Sequence, residues 1–316
     1  MAQHSLFRYL YLKVWITLIR IFVDVTGNAS NTRDLALIPR NSRQDKGIKI
    51  PSRDKGRHIK ADIYYPSATP DTPLPVVVYW HGSGFVFSHF GVWTLFCSRI
   101  ARHAGIAVVD VDYRKSPETP FPAPVDDAED VLLWIASQGQ RFDPKRVAVA
   151  GSSAGGNVAL VAATKLRKKL AGAVSISAVV VMYPLTNLAA LPETRKVPKP
   201  VNPTPPWLLN FCIDCYAPDG VLRTDPALSP HFADSADFPA TVAIITAEGD
   251  DMRPEAQELA ERLKRDNADG KKIIDFVCQG VGHGFDVNAA PGSVAYARRE
   301  EMYDLVTDIL KDALKV

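Results

Sequence analysis

Arg146-Val147-Ala148-Val149-Ala150-Gly151-Ser152-Ser153-Ala154-Gly155-Gly156 is the stretch that decides how this chain is read. Val147 to Ala150 is a short apolar run suited to a buried strand, and from Val158 to Lys168 apolar residues recur at helical spacing. Between them lies Gly-x-Ser-x-Gly, with Ser153 at its centre. A strand that turns sharply into a helix through this string is a nucleophile elbow, and Gly151 and Gly155 are needed because a side chain at either would obstruct the strained turn.

A serine hydroxyl is a weak nucleophile until a base takes its proton, so the elbow calls for a histidine later in the chain, with an acid between the two. His283, in Gly280-Val281-Gly282-His283-Gly284-Phe285 after the run Ile273 to Cys278, occupies that place, and the other six histidines do not. The acid is expected on the loop after Val242 to Ala247, where Glu248, Asp250 and Asp251 all qualify on position. Donors for a tetrahedral oxyanion are expected from the small residues of His81-Gly82-Ser83-Gly84, after Val76 to Trp80. The backbone N–H groups of Ser83, Gly84 and Ala154 are the candidates.

Outward from these motifs the chain alternates short β-rich runs with helical ones. Strands are expected at 58–65, 76–80, 106–111, 147–150, 179–182, 242–247 and 273–278, and helices at 125–137, 158–168, 254–264 and 295–314. That alternation specifies an α/β fold with a mostly parallel sheet flanked by helices. Leu185 to Asp234 holds nine of the 24 prolines and breaks the alternation, so it reads as an insertion. The expected organisation is N-terminal cap helices over 1–50, a catalytic core over 51–185, a cap insertion over 186–234 and the rest of the core over 235–316.

Composition excludes several classes. The chain has 316 residues, 47% of them hydrophobic, which is enough for a large core. Its 37 basic and 35 acidic side chains leave a net charge of +2, too small for a nucleic-acid binder. Cys97, Cys212, Cys215 and Cys278 are too few for a disulfide scaffold and point to a reducing, cytoplasmic setting, and the Cys212-x-x-Cys215 pair lacks the partners of a zinc site. The apolar stretch Leu6 to Val23 is interrupted by Arg8, Lys13 and Arg20, which argues against a membrane span. Lys13, Thr17, Arg20 and Asp24 would form a polar stripe on a helix, opposite Leu10, Val14 and Ile21. The apolar face is expected to pack on the protein or line a pocket, in preference to contacting a membrane surface through residues 6–23. The sequon Asn28-Ala29-Ser30 is expected to go unused.

Taken together, these motifs resemble the hormone-sensitive-lipase-like α/β-hydrolases, whose signatures are a His-Gly-Gly-Gly loop and a Gly-Asp-Ser-Ala-Gly-Gly elbow. The resemblance spans about positions 58 to 290 and includes Asp112-Tyr113-Arg114, Pro117-Glu118 and Phe121-Pro122-Ala123-Pro124. It implies an α/β-hydrolase fold and a serine esterase that needs no cofactor or metal. It singles out Asp250 as the acid, because Asp250-Asp251-Met252-Arg253 matches the family frame after the seventh strand. It also implies a helical cap, with Trp15, Trp207, Leu208 and Phe211 as candidate pocket walls. Two residues depart from the pattern. Ser83 replaces the middle glycine of the loop, adding a hydroxyl that could crowd the site, and Ser152 replaces the acidic residue before the nucleophile. Similarity to small fungal esterases of secondary metabolism suggests an acetylated or lactone natural product as substrate, its oligomeric state left open. Amide or formamide hydrolysis, a lyase or dehydratase, and a small-molecule receptor are the competing readings, the last disfavoured by the retained His283.

Overall fold

The Val, Ile and Ala runs pair into one sheet in a computed structural model that describes residues 3–26, 31–68, 72–267 and 269–316. Its strands are β1 (Gln44–Pro51), β2 (His58–Tyr64), β3 (Leu74–Trp80), β4 (Ala107–Asp112), β5 (Phe142–Ser152), β6 (Ile176–Met182), β7 (Thr241–Ala247) and β8 (Lys272–Cys278). They lie in the order β1-β2-β4-β3-β5-β6-β7-β8. β2 runs antiparallel to both β1 and β4, and the remaining neighbours are parallel. This is the α/β-hydrolase fold.

Because side chains alternate along a strand, each central strand feeds two cores. Val76, Val78 and Trp80 of β3, with Val147 and Val149 of β5, pack on α4 (Ala123–Ser137), α5 (Ala154–Val161) and α8 (Arg253–Arg265). Val77, Tyr79, Ala148 and Ala150 pack on the opposite side against α3 (Thr94–Ala104) and α9 (Val294–Leu314). Helix α5 continues through a π turn, Ala162–Leu166, into the short α6 (Arg167–Lys169).

β1 corrects the assignment of 1–50 to cap helices alone. Residues 44–51 form the sheet's outer strand, which its composition hides: Gln44 to Lys49 are mostly exposed and only Ile50 is buried. Ahead of β1 lie α1 (Leu6–Thr26) and α2 (Thr32–Ala36), and α7 (Pro206–Tyr216) lies in the proline-rich insertion. Arg8, Lys13 and Arg20 of α1 pair with Asp214, Asp219 and Glu118, so the helix turns its charged residues inward and leaves Leu10, Val14 and Ile21 exposed, which overturns the expectation that this apolar face packs on the protein. The sequon at 28–30 lies outside the described residues. Among the described residues no helix is long and apolar enough to cross a membrane. The four cysteines are free and buried, and burial pushes the Cys212 thiol up to about 12.

The stretch after β4 is anchored by charge. Asp127 on α4 is fully buried and accepts from both terminal nitrogens of Arg57 at 2.7 Å, and from the Arg114 backbone N–H at 2.9 Å.

The position of α5 is fixed by its closeness to β3. A Cβ added to Gly155 would sit 2.0 Å from the Trp80 carbonyl oxygen and 2.5 Å from that of His81. Neither backbone atom can yield without moving the sheet. Gly155→Ala is therefore expected to cost at least about 2 kcal/mol of stability, read as a lowered urea midpoint. A variant that unfolds with the unmodified protein would show that the contact is looser than this.

Candidate active site

β5 ends at Ser152, and the chain turns into α5 through Ser153, whose φ of 53° and ψ of −121° are strained for a residue with a side chain. Ser153 Oγ lies 2.9 Å from Nε2 of His283, and His283 Nδ1 lies 2.8 Å from Oδ2 of Asp250. With the proton on Nδ1 donated to the carboxylate, Nε2 is left to accept from the serine hydroxyl. The structure thus brings Ser153, His283 and Asp250 together. The two other acids go elsewhere: Glu248 accepts from the Gly280 backbone N–H at 2.8 Å, and Asp251 makes no hydrogen bond to the imidazole.

Burial pulls the His283 pKa down, but the Asp250 carboxylate, helped by Asp251 and Asp286, outweighs it and leaves the imidazole above its usual range. Asp251 is displaced upward as well, and there burial drives the rise. The neighbouring Asp250 charge adds to it.

The loops that carry Asp250 and His283 are tied to each other and to the insertion. Glu248 N–H donates to Cys278 O at 2.9 Å, and Gly249 N–H to Val281 O at 2.8 Å. Val201, from the insertion, donates to Gly249 O at 2.9 Å. A Cβ on Gly282 would stand 1.9 Å from the Val201 carbonyl oxygen, so the residue before His283 must be glycine for the insertion to seat.

Tyr183 is a component that the sequence did not flag. Its ring meets the His283 imidazole edge-on, with centroids 4.9 Å apart. Its hydroxyl donates to the buried Asp286 at 2.5 Å, which also accepts from Tyr303 at 3.1 Å, while Trp93 Nε1 donates to the Tyr183 oxygen at 3.3 Å. Its φ of 37° was not readable from a tyrosine after a strand.

The candidate oxyanion loop is supported from beneath. Tyr113 OH donates to the His81 carbonyl at 2.8 Å and accepts from Ser83 Oγ at 2.6 Å, while Ser83 Oγ itself accepts from Phe85 N–H at 3.0 Å. The extra hydroxyl of Ser83 is thus held in a buried network and does not crowd the cavity. Ser152 behaves similarly, with its Oγ 2.9 Å from Tyr79 OH. Gly82, Ser83 and Gly84 line the same cavity as Ser153. Among the described residues the Ser83 and Gly84 N–H groups have no protein acceptor, and Ala154 opens α5, where helix N–H groups are left over.

That cavity has a volume of about 300 Å³, and Phe87, Val92, Trp93, Leu208, Leu209 and Met252 supply much of its apolar wall. Of the four expected walls only Leu208 lines it. Helical geometry explains the other three. Leu208, Leu209 and Cys212 share the face of α7 that looks into the cavity, whereas Trp207 is 62% exposed and Phe211 packs on α1. Trp15 lies on the outer side of α1, beside Tyr11. The aromatic-rich loop Phe85 to His89, next to the oxyanion candidates, was the signal available for Phe87 and His89.

Comparison with known proteins places this geometry among relatives. A family model described as alpha/beta hydrolase fold matches residues 77–287. Esterase LipI of Mycobacterium tuberculosis is 39% identical over 147 residues, covering 44% of this chain and 45% of that protein. Versiconal hemiacetal acetate esterase of Dothistroma septosporum is 35% identical over 127 residues, covering 39% of each. The matched stretches thus span less than half the length of these two relatives. The solved structure of a hyperthermophilic esterase from Pyrobaculum calidifontis superposes with a TM-score of 0.75 at 29% identity, covering 98% of both chains.

The opposing influences on His283 give a test of sign. Asp250→Asn removes the leading favourable charge and leaves the burial in place, so the His283 pKa should fall below that of the unmodified protein in an NMR titration of the ring. An unchanged or raised value would mean that Asp250 does not govern the imidazole.

Proposed function

We infer that this chain, which belongs to the alpha/beta hydrolase fold family, is a serine esterase that hydrolyses carboxylic esters through an acyl-enzyme on Ser153. The observation that carries this reading is the unbroken relay from buried Asp250 through His283 to Ser153, opening on an apolar cavity beside free backbone N–H groups.

The chemistry follows from the geometry. His283 Nε2 takes the Ser153 proton as Oγ attacks the ester carbonyl, and the charge that gathers on the carbonyl oxygen is met by the N–H groups of Ser83, Gly84 and Ala154. The imidazolium, stabilised by Asp250, returns its proton to the departing alkoxide, and the alcohol leaves an acyl-Ser153 ester. Water then repeats the sequence, giving its proton to His283 while its oxygen attacks the acyl carbon. The acid departs and Ser153 regains its proton.

An apolar cavity of about 300 Å³ suits a short to medium acyl chain. Similarity to an esterase named for an acetate substrate supports an acetylated natural product as one member of the substrate class. The four free, buried thiols fit a reducing compartment such as the cytoplasm.

A series of p-nitrophenyl esters from acetate to decanoate, with organophosphate labelling followed by mass spectrometry, tests the reading. Short acyl esters should turn over, the label should fall once on Ser153, and Ser153→Ala should lower kcat by roughly 10⁴-fold or more. A folded protein that neither cleaves nor labels would refute the esterase reading in favour of elimination or ligand sensing.

The pH profile carries a second expectation. His283 must be neutral to act as base and its pKa is raised, so kcat/KM should climb through an acid limb above about 6.5, the usual histidine value. A limb at or below that value would contradict the assignment of His283.

A further inference from the structure

The loop after β3 carries two consecutive residues in the left-handed region, Gly84 at a φ of 54° and Phe85 at 65°. Glycine adopts this conformation readily and phenylalanine does not, so the surroundings must hold Phe85 there. Its carbonyl accepts from the Ser116 N–H at 2.9 Å, and its ring stacks on Tyr216 with centroids 3.8 Å apart. Its own N–H, on a fully buried residue, has the Ser83 hydroxyl as its partner at 3.0 Å.

That bond begins a chain that runs in one direction. Phe85 N–H donates to Ser83 Oγ, Ser83 Oγ donates to the Tyr113 hydroxyl at 2.6 Å, and Tyr113 donates to the His81 carbonyl at 2.8 Å. The chain starts and finishes in the same loop. It therefore closes a tie from residue 81 to residue 85 around Ser83 and Gly84, which line the cavity beside Ser153 and whose N–H groups have no acceptor among the described residues. Tyr113 is fixed in turn by Lys115, whose Nζ lies 3.8 Å from the centre of its ring and bonds to its carbonyl, with Asp112 3.1 Å from the same ammonium.

We propose that Ser83 is a positioning residue for ester hydrolysis, its hydroxyl holding the 81–85 loop so that the Ser83 and Gly84 N–H groups meet the oxyanion without rearrangement. The proposal rests on the esterase reading. It gives a use to a departure from the family pattern, in which this position is glycine and no side chain could tie Phe85 to Tyr113. Without the hydroxyl, Phe85 N–H is left buried with no acceptor, a costly state. The loop relieves it by rotating the peptide planes on either side of Gly84, which turns the donors away from the oxyanion. Charge gathers on that oxygen only in the tetrahedral state, so misdirected donors slow turnover and leave substrate binding nearly as it was.

Ser83→Ala, Ser83→Gly and Tyr113→Phe test this with p-nitrophenyl acetate. No donor is deleted outright, so each should lower kcat by roughly tenfold, less than the roughly 10²–10³ of a lost donor, with KM within about twofold of the unsubstituted value. Ser83→Ala combined with Tyr113→Phe should fall little further than the worse single variant, because one chain is cut twice. Trifluoroacetophenone supplies a readout that a purely structural role would not move. Ser153 Oγ adds to its carbonyl carbon, His283 takes the serine proton and the carbonyl oxygen becomes an oxyanion, so its inhibition constant should rise by the factor by which kcat/KM falls. Thermal melts establish that the variants are folded, and Tyr113→Phe, which keeps the ring, carries the test if Ser83→Ala does not fold. Unchanged kcat in folded variants, a loss confined to KM, losses that multiply in the double variant, or an unmoved inhibition constant would each overturn the proposal. Those outcomes leave the esterase reading standing, whereas an unsubstituted protein that neither cleaves nor labels removes that reading and this role together.

Discussion

The first turn of α5 lies so close to the end of β3 that Gly155 and the Trp80 carbonyl leave no space for even a methyl group. The rest of the site follows from that contact. To bring the helix in at this distance the chain must reverse abruptly after β5, which forces Ser153 into positive φ and lifts its hydroxyl off the sheet. The same approach sets the opening N–H groups of α5 beside the loop that leaves β3. Ser153 and the N–H groups at the start of α5 and in the loop after β3 therefore converge through backbone packing. The Tyr113 and Tyr79 hydroxyls brace Ser83 and Ser152 from below and keep this arrangement from relaxing.

Asp250 and His283 depend on a second constraint, the crowding of buried carboxylates. Asp250, Asp251 and Asp286 all act on one imidazole that burial would otherwise keep neutral. Three adjacent anions in a poorly solvated space would repel one another, and the structure limits this by raising the pKa of Asp251 and Asp286 through burial. Asp250 then supplies the leading charge on His283, while Asp286 acts mainly as an acceptor that holds Tyr183 against the ring. The cross-bonds between the loops after β7 and β8 keep Asp250 and His283 in register, and Val201 locks both to the insertion.

Much of this was legible because it follows from the order of residues along the chain. Strand alternation, the Gly-x-Ser-x-Gly turn and a histidine after the last strand are local patterns, and they led to Ser153 and His283. Asp250 was not separable from Glu248 and Asp251 on position, since which carboxylate turns inward is settled by loop bonds between segments about thirty residues apart. Resemblance to a family supplied what position could not. β1 was missed because an exposed outer strand needs no apolar alternation, and 44–51 has little. The cavity wall was the least legible part, because it is assembled from several separate segments and depends on the rotation of α7 about its axis.

The rotation of α7 and that of α1 are one problem. Cys212 and Cys215 on α7 meet Leu12 and Ile16 on α1, so whichever face α1 turns inward also selects the α7 face left for the cavity. Arg20 makes that choice for α1: it reaches Glu118 and two backbone carbonyls in the segments after β3 and β4, satisfying acceptors that a leucine face would leave buried without partners. Once those bonds form, the apolar stripe has nowhere to go but outward, and Leu208, Leu209 and Cys212 are left facing Ser153. The exposed stripe and the apolar cavity are thus two consequences of the same buried polar contacts, and a chain that hid the stripe by turning α1 over would also have to rebuild the cavity wall that faces Ser153.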